Sequence, residues 1–139
     1  MKRNNLPDAP KLKDPRLATK SNYVLIASML LGAFLTVSGA LFLFAPHAGT
    51  AVFGMSVGDT ASLRVVGVRQ LAFGLVIALL ALRGDTHSLA MVLFIGALVP
   101  AVDGLVVWQG VDLATSLRHF VAVPVSLGLG ASLWRGRSA

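Results

Sequence analysis

Four long apolar stretches between Tyr23 and Trp134 constrain this chain more than anything else in it. Each is long enough to cross a hydrocarbon core of about 30 Å as a helix rising about 1.5 Å per residue. Backbone groups in lipid must pair within the protein, and a continuous apolar run of this length does so as a helix. The expected fold is all-α, a four-helix transmembrane bundle with spans near 23–44, 63–82, 89–108 and 116–134. Composition agrees: 55% hydrophobic residues, 13% charged residues and a mean hydropathy of +0.77 lie outside the range of soluble domains. The bilayer is therefore the first expected partner.

The net charge of +6 invites a nucleic-acid reading, but half of the twelve Lys and Arg are Lys2, Arg3, Lys11, Lys13, Arg16 and Lys20. Crowding ahead of the first span is a topology signal, and no nucleic-acid partner is expected. Residues 1–22, with three prolines, read as a flexible basic cytoplasmic tail, and residues 135–139 as a second short basic tail. A signal peptide would have an apolar core of only about 7–15 residues, so the first stretch reads as a retained helix. With four alternating helices, both tails and Arg83 fall on one side. That side is expected to be cytoplasmic, in the inner (plasma) membrane, with Tyr23 and Trp134 at the inner interface and Trp108 at the outer one. The absence of cysteine excludes disulfides and thiolate chemistry.

The short linker from Arg83 to His87 requires an antiparallel hairpin. The longest connection, 46–62, contains the apolar run Ala51 to Val57 and is expected to lie on the outer interface or to cap the bundle. Small residues mark the faces where helices approach closely in lipid. Ser28, Gly32, Thr36 and Ala40 form one such face, Gly67 and Gly74 another, Gly96, Pro100 and Gly104 a third, and Ala122, Ser126 and Gly130 a fourth. The same faces suit a second copy or a partner helix.

Charge inside a bilayer is costly and tends to mark a site. Arg69, Asp103 and His119 fall at similar depth near the outer end, roughly 5–9 Å inside their spans by helical rise. Asp103 and His119 share faces with small residues and are expected to point inward. Gln70 falls on the Gly67 and Gly74 face, leaving Arg69 about 100° away, free to turn inward or outward. Pro100 and Pro124 each free a helix carbonyl, of Gly96 and Phe120, beside Asp103 and His119. A widened, partly wet outer cavity or simple helix shaping would each account for them. Arg64, Asp59, Asp112 and Arg118 read as an outer rim.

Two functions follow. In the first, a pocket binds or transforms a small lipophilic molecule: Arg69 holds an anionic or carbonyl oxygen, Asp103 is base or counter-ion, His119 is the proton partner, and Gln70 and Ser116 complete the binding set. In the second, the Arg69, Asp103 and His119 cluster is internal glue in a non-catalytic membrane subunit or scaffold. Whether the chain is an enzyme stays open. His47, His87 and His119 lie far apart, so no metal is expected, and no cofactor either, because Gly128-x-Gly130 lacks the rest of a dinucleotide fingerprint. A Ser116 or Ser126 pair with His119 lacks an oxyanion hole, and the inner halves of the spans carry no relay for proton-driven transport.

Leu43-Phe44-Ala45-Pro46, Phe53-Gly54, the run from Gly67 to Leu75, and Pro100-x-x-Asp103 together resemble small four-helix membrane proteins catalogued as a domain of unknown function, with a DoxX-like architecture. The resemblance covers about Tyr23 to Trp134. Its most specific element is Gly-x-Arg-x-x-x-x-Gly at the start of the second helix, after whose arginine many relatives carry an acid where this chain has Gln70. It implies the bundle and draws attention to Arg69 and Asp103, without a substrate.

Overall fold

The computed structural model describes residues 15–53, 59–110 and 113–136, and among these every element is helical. Helix α1 runs Pro15–Phe44, α2 Pro46–Phe53, α3 Thr60–Arg83, α4 Thr86–Gly96, α5 Leu98–Gly110 and α6 Leu113–Arg135. Three segments are long and apolar enough to cross a membrane: Asn22–Phe44, Thr60–Arg83 and Thr86–Leu105. A fourth apolar helical segment, Phe120–Arg135, is shorter.

Helix α1 begins eight residues before the expected span. Proline suits the first helical position because its missing N–H would have no partner there, and no residue between Arg16 and Asn22 breaks the helix. The connection after α1 is also more ordered than a loop. Helix α2 packs back on α1, with Pro46, Gly49 and Thr50 buried and a Cβ built on Gly49 only 2.8 Å from the Phe42 ring. The Thr50 hydroxyl donates to the His47 carbonyl at 2.9 Å. Residues 54–58, the rest of the apolar run, lie outside the described residues.

The expected third span is one kinked helix made of α4 and α5. Pro100 has no N–H for the Gly96 carbonyl, and the helix turns at Ala97, whose N–H still reaches the Leu93 carbonyl at 3.1 Å. Helix α6 continues through Pro124. The hairpin between α3 and α4 is tighter than expected, with only Gly84 and Asp85 between the helices. Gly84 adopts φ +65°, a left-handed conformation that favours glycine.

Helix α1 packs along α3, and α6 packs on both α4 and α5; the two halves meet through α1 with α6 and α3 with α4. The α1–α3 contact is backbone on backbone. A Cβ built on Gly67 would lie 2.6 Å from the Leu43 amide nitrogen, and one on Gly32 would lie 2.8 Å from that of Ala78. Gly32 opposes Gly74 and Gly39 opposes Gly67, so the helices run antiparallel. A tight apolar cluster, Ile77, Ala81, Leu89, Ala90, Leu93 and Leu133, joins α3, α4 and α6 at the end where α1 begins and α6 finishes. Many large apolar side chains instead face outward, among them Leu75, Leu79 and Ile95. Such surface suits lipid, where close packing rather than water exclusion holds helices together.

Two aspartates start helices outside these spans. Asp59 accepts from the Ser62 amide at 3.1 Å and Asp85 from the Ser88 amide at 3.1 Å. These are N-caps, which satisfy donors that the first helical turn leaves open. The Ser62 backbone bond holds Asp59 below the usual carboxylate range, and the Ser88 hydroxyl and backbone bonds do the same for Asp85. A depressed folded pKa contributes stability that is fully present above the unfolded value of about 4 and is lost as pH falls through the folded value. Acidification below about pH 4 is therefore expected to fray the starts of α3 and α4 first. Hydrogen exchange should show faster exchange at the Ser62 and Ser88 amides there, and Asp85→Ala should show it at Ser88 already at neutral pH.

Candidate functional site

Glycines set the azimuth of α3. Gly67 and Gly74 face α1, and Gln70, one helical turn from Gly67, faces the same way. The Ser38 hydroxyl of α1 lies 3.2 Å from Gln70 Oε1, as donor, and equally 3.2 Å from the Leu35 carbonyl, so one proton is shared between two acceptors. Ser38 is only 3% exposed. Gln70 is thus part of the α1–α3 seam, not of the pair formed by its neighbour.

Arg69 points away from that seam and reaches α5. Its Nη2 donates to Asp103 Oδ2 at 2.6 Å and its Nη1 to Oδ1 at 3.2 Å, a two-pronged ion pair. This answers the orientation left open by spacing alone: the guanidinium turns toward the other half of the molecule. Helices α3 and α5 do not otherwise pack as neighbours along their length, so the long arginine stem bridges a gap. The pair is half-buried, with 37% of the Arg69 and 27% of the Asp103 side-chain surface exposed.

Fork-to-fork geometry uses one N–H of each Nη and leaves the Nε–H and a second N–H on each Nη over. Arg69 Nε is buried and has no hydrogen-bond partner. A buried donor without a partner costs about 1–3 kcal/mol, and because Nε is closed off from solvent, an oxygen can reach it only if the side chains around it shift. The charges of Arg69 and Asp103 cancel. Chemically, the arrangement offers the guanidinium N–H groups that the carboxylate does not use, a carboxylate already held by two bonds, and a neutral total charge.

Helix α6 approaches the same region. A Cβ built on Gly104 would lie 3.0 Å from the Phe120 ring, so the residue after Asp103 is in register with the residue after His119. The His119 and Ser116 side chains lie outside the described residues. Of the expected site set, Arg69 and Asp103 are brought together, and Gln70 is directed to α1. Among the described residues, no group of three or more His, Cys, Asp or Glu has metal-binding placement.

Sequence reasoning missed Gly39 and Ser38. The signal was present: Gly32 and Gly39 are seven apart, and so are Gly67 and Gly74. Two such pairs on antiparallel helices bring glycine to glycine twice, whereas an every-fourth-residue stripe favoured Ala40 over Gly39.

Residues 32–133 match a family described as a domain of unknown function, DUF4267. The matched stretch holds the glycine seam, α2, and the Arg69, Gln70 and Asp103 set. No curated protein and no solved structure matches the chain.

Proposed function

The chain belongs to the family described as domain of unknown function DUF4267, and we propose that it is a multi-pass membrane protein that binds a small lipophilic molecule beside Arg69. The observation that carries this reading is the partly exposed Arg69–Asp103 ion pair in an apolar setting, whose two Nη groups each keep an N–H that the carboxylate does not use. The ligand would carry a carbonyl or carboxylate oxygen for such an N–H and an apolar body for the gap between α3 and α5. Asp103 holds the guanidinium in place and neutralises it. His119, on the adjoining turn of α6, is the proton partner if the molecule is also transformed. In this reading all four apolar helices cross the inner (plasma) membrane as a DoxX-like bundle, with both termini cytoplasmic and the pair toward the outer face.

The closed two-pronged geometry supports a second reading, in which the pair is only a strut between the two halves of a scaffold. A thermal-shift screen of the detergent-purified protein against lipophilic carboxylates and ketones separates the two. A ligand present at a hundred times its Kd stabilises by about 2.7 kcal/mol, enough for a clear rise in melting temperature. We expect at least one compound class to give that rise and Arg69→Lys, which has no fork, to lose it. No rise with either class would remove the ligand reading.

A further inference from the structure

At the opposite end from the ion pair, α4 and α6 enclose an open groove of about 480 Å³ lined by Met91, Phe94, Ile95, Ala131, Trp134 and Arg135. Five of the six are apolar. Met91, Ile95 and Trp134 are 46%, 60% and 48% exposed, so the groove opens on the outward face of the helices rather than into their interior. Aromatic contacts hold its far wall. The Trp134 ring lies tilted against His87 at a centroid distance of 5.3 Å and meets Phe94 edge-on at 6.5 Å. Behind the groove α6 packs closely on α4, since a Cβ on Gly130 would lie 3.2 Å from the Phe94 ring and 3.3 Å from the Ala90 carbonyl.

Polarity changes along the groove in one direction. Met91 and Ile95 lie toward the middle of their span, whereas Trp134 and Arg135 form the last turn of α6, where the chain leaves the apolar segment. Charge at this end is positive among the described side chains: Arg135 and Arg83 are both exposed. Among the described residues the only carboxylate at this end is Asp85, which is engaged by the Ser88 amide.

We propose that this groove is a binding site for one anionic phospholipid, its acyl chain lying along Met91, Ile95 and Ala131 and its phosphate held by Arg135. An apolar trough that ends in an aromatic belt residue and a cation matches the depth profile of such a lipid. A Lys or Arg in direct reach of an anionic headgroup favours it by a factor on the order of five. The site is independent of the Arg69–Asp103 pair.

Tryptophan quenching tests it on the full chain. Trp108→Phe leaves Trp134 as the sole tryptophan. The protein is reconstituted in phosphatidylcholine vesicles containing a small fraction of brominated lipid, either phosphatidylglycerol or phosphatidylcholine. The expected result is a preference of about fivefold for the brominated phosphatidylglycerol at Trp134, falling to near unity in Arg135→Gln. Ala131→Phe, which fills the groove without changing any charge, should remove the same preference and serves if Arg135→Gln does not fold. Equal quenching by both lipids overturns the proposal. So does a preference that survives either substitution, since it would then belong to the general field of the basic end.

Discussion

Replacing Gly74 by valine is expected to leave no properly folded protein after extraction in detergent. A Cβ at this position would come within 2.6 Å of Thr36 Oγ1 and 2.7 Å of the Gly32 carbonyl, and closer still to the Thr36 amide. Two of those three neighbours are backbone atoms, which no rotamer change can move. Relief would require α1 and α3 to separate along the seam, which would also part Gly39 from Gly67. Overpacking a well-fitted contact typically costs about 1–3 kcal/mol, and Gly74→Ala should fall at the upper end of that range. Valine adds two further methyl groups to the same clash. Gly128→Ala is the contrast, because a Cβ there meets nothing within 4 Å. Its removal of a helix-interior glycine should leave stability unchanged or raise it by up to about 1 kcal/mol. Size-exclusion profiles after graded heating would report all three variants. A Gly74→Val melting temperature equal to that of the native chain would mean that α1 and α3 do not meet through these glycines.

Asp103→Asn should be the next most damaging change, because it keeps the shape of the side chain and strands the Arg69 charge. Removing one partner of a fully buried pair costs about 3–5 kcal/mol. Here 37% and 27% of the two side-chain surfaces are exposed, so a loss of about 1–3 kcal/mol is expected. Arg69→Gln should cost a similar amount for the mirror-image reason. The double variant carries no stranded charge and should lie closer to the native chain than the sum of the single losses, with a coupling of about 1–3 kcal/mol. The double variant also separates structure from function. If it regains stability but gives no ligand-induced rise in melting temperature, Arg69 is a binding group as well as a strut. If it responds to ligand as the native chain does, the pair is a strut alone. Single variants as stable as the native chain would show that the pair does not tie α3 to α5.

How far the site could be read from residues alone differs between its members. Arg69 and Asp103 were legible as candidates because ionisable groups are rare in apolar spans and helical rise put them at one depth. Their pairing was one of two readings, since Arg69 sits 100° from Gln70 and a flexible stem can swing either way. Gln70 looked like a member of the polar set, yet it serves the α1–α3 seam through Ser38. That assignment depends on which helix lies against which face, and helix neighbours are a long-range property. Helix α2 was read as a surface connection because its eight residues are too few to announce a helix by periodicity; packing on Phe42 supplies what local propensity does not.

Sequence by itself determined the all-helical class, the places of four apolar segments and the α3–α4 hairpin, while the structure gives three of those segments membrane length and the fourth, Phe120–Arg135, less. The first three follow from local chemistry: apolar runs must satisfy their own backbone bonds in lipid, and Gly84 with Asp85 permits one tight reversal. Only the tertiary structure decided that Gly39 rather than Ala40 meets α3, that Arg69 turns to Asp103, and that an apolar groove ends at Arg135. Each of those depends on rotation of one helix against another by a fraction of a turn. In a chain whose apolar residues surround every helix, that rotation is set by where backbones can approach most closely, which depends on pairs of residues far apart in sequence.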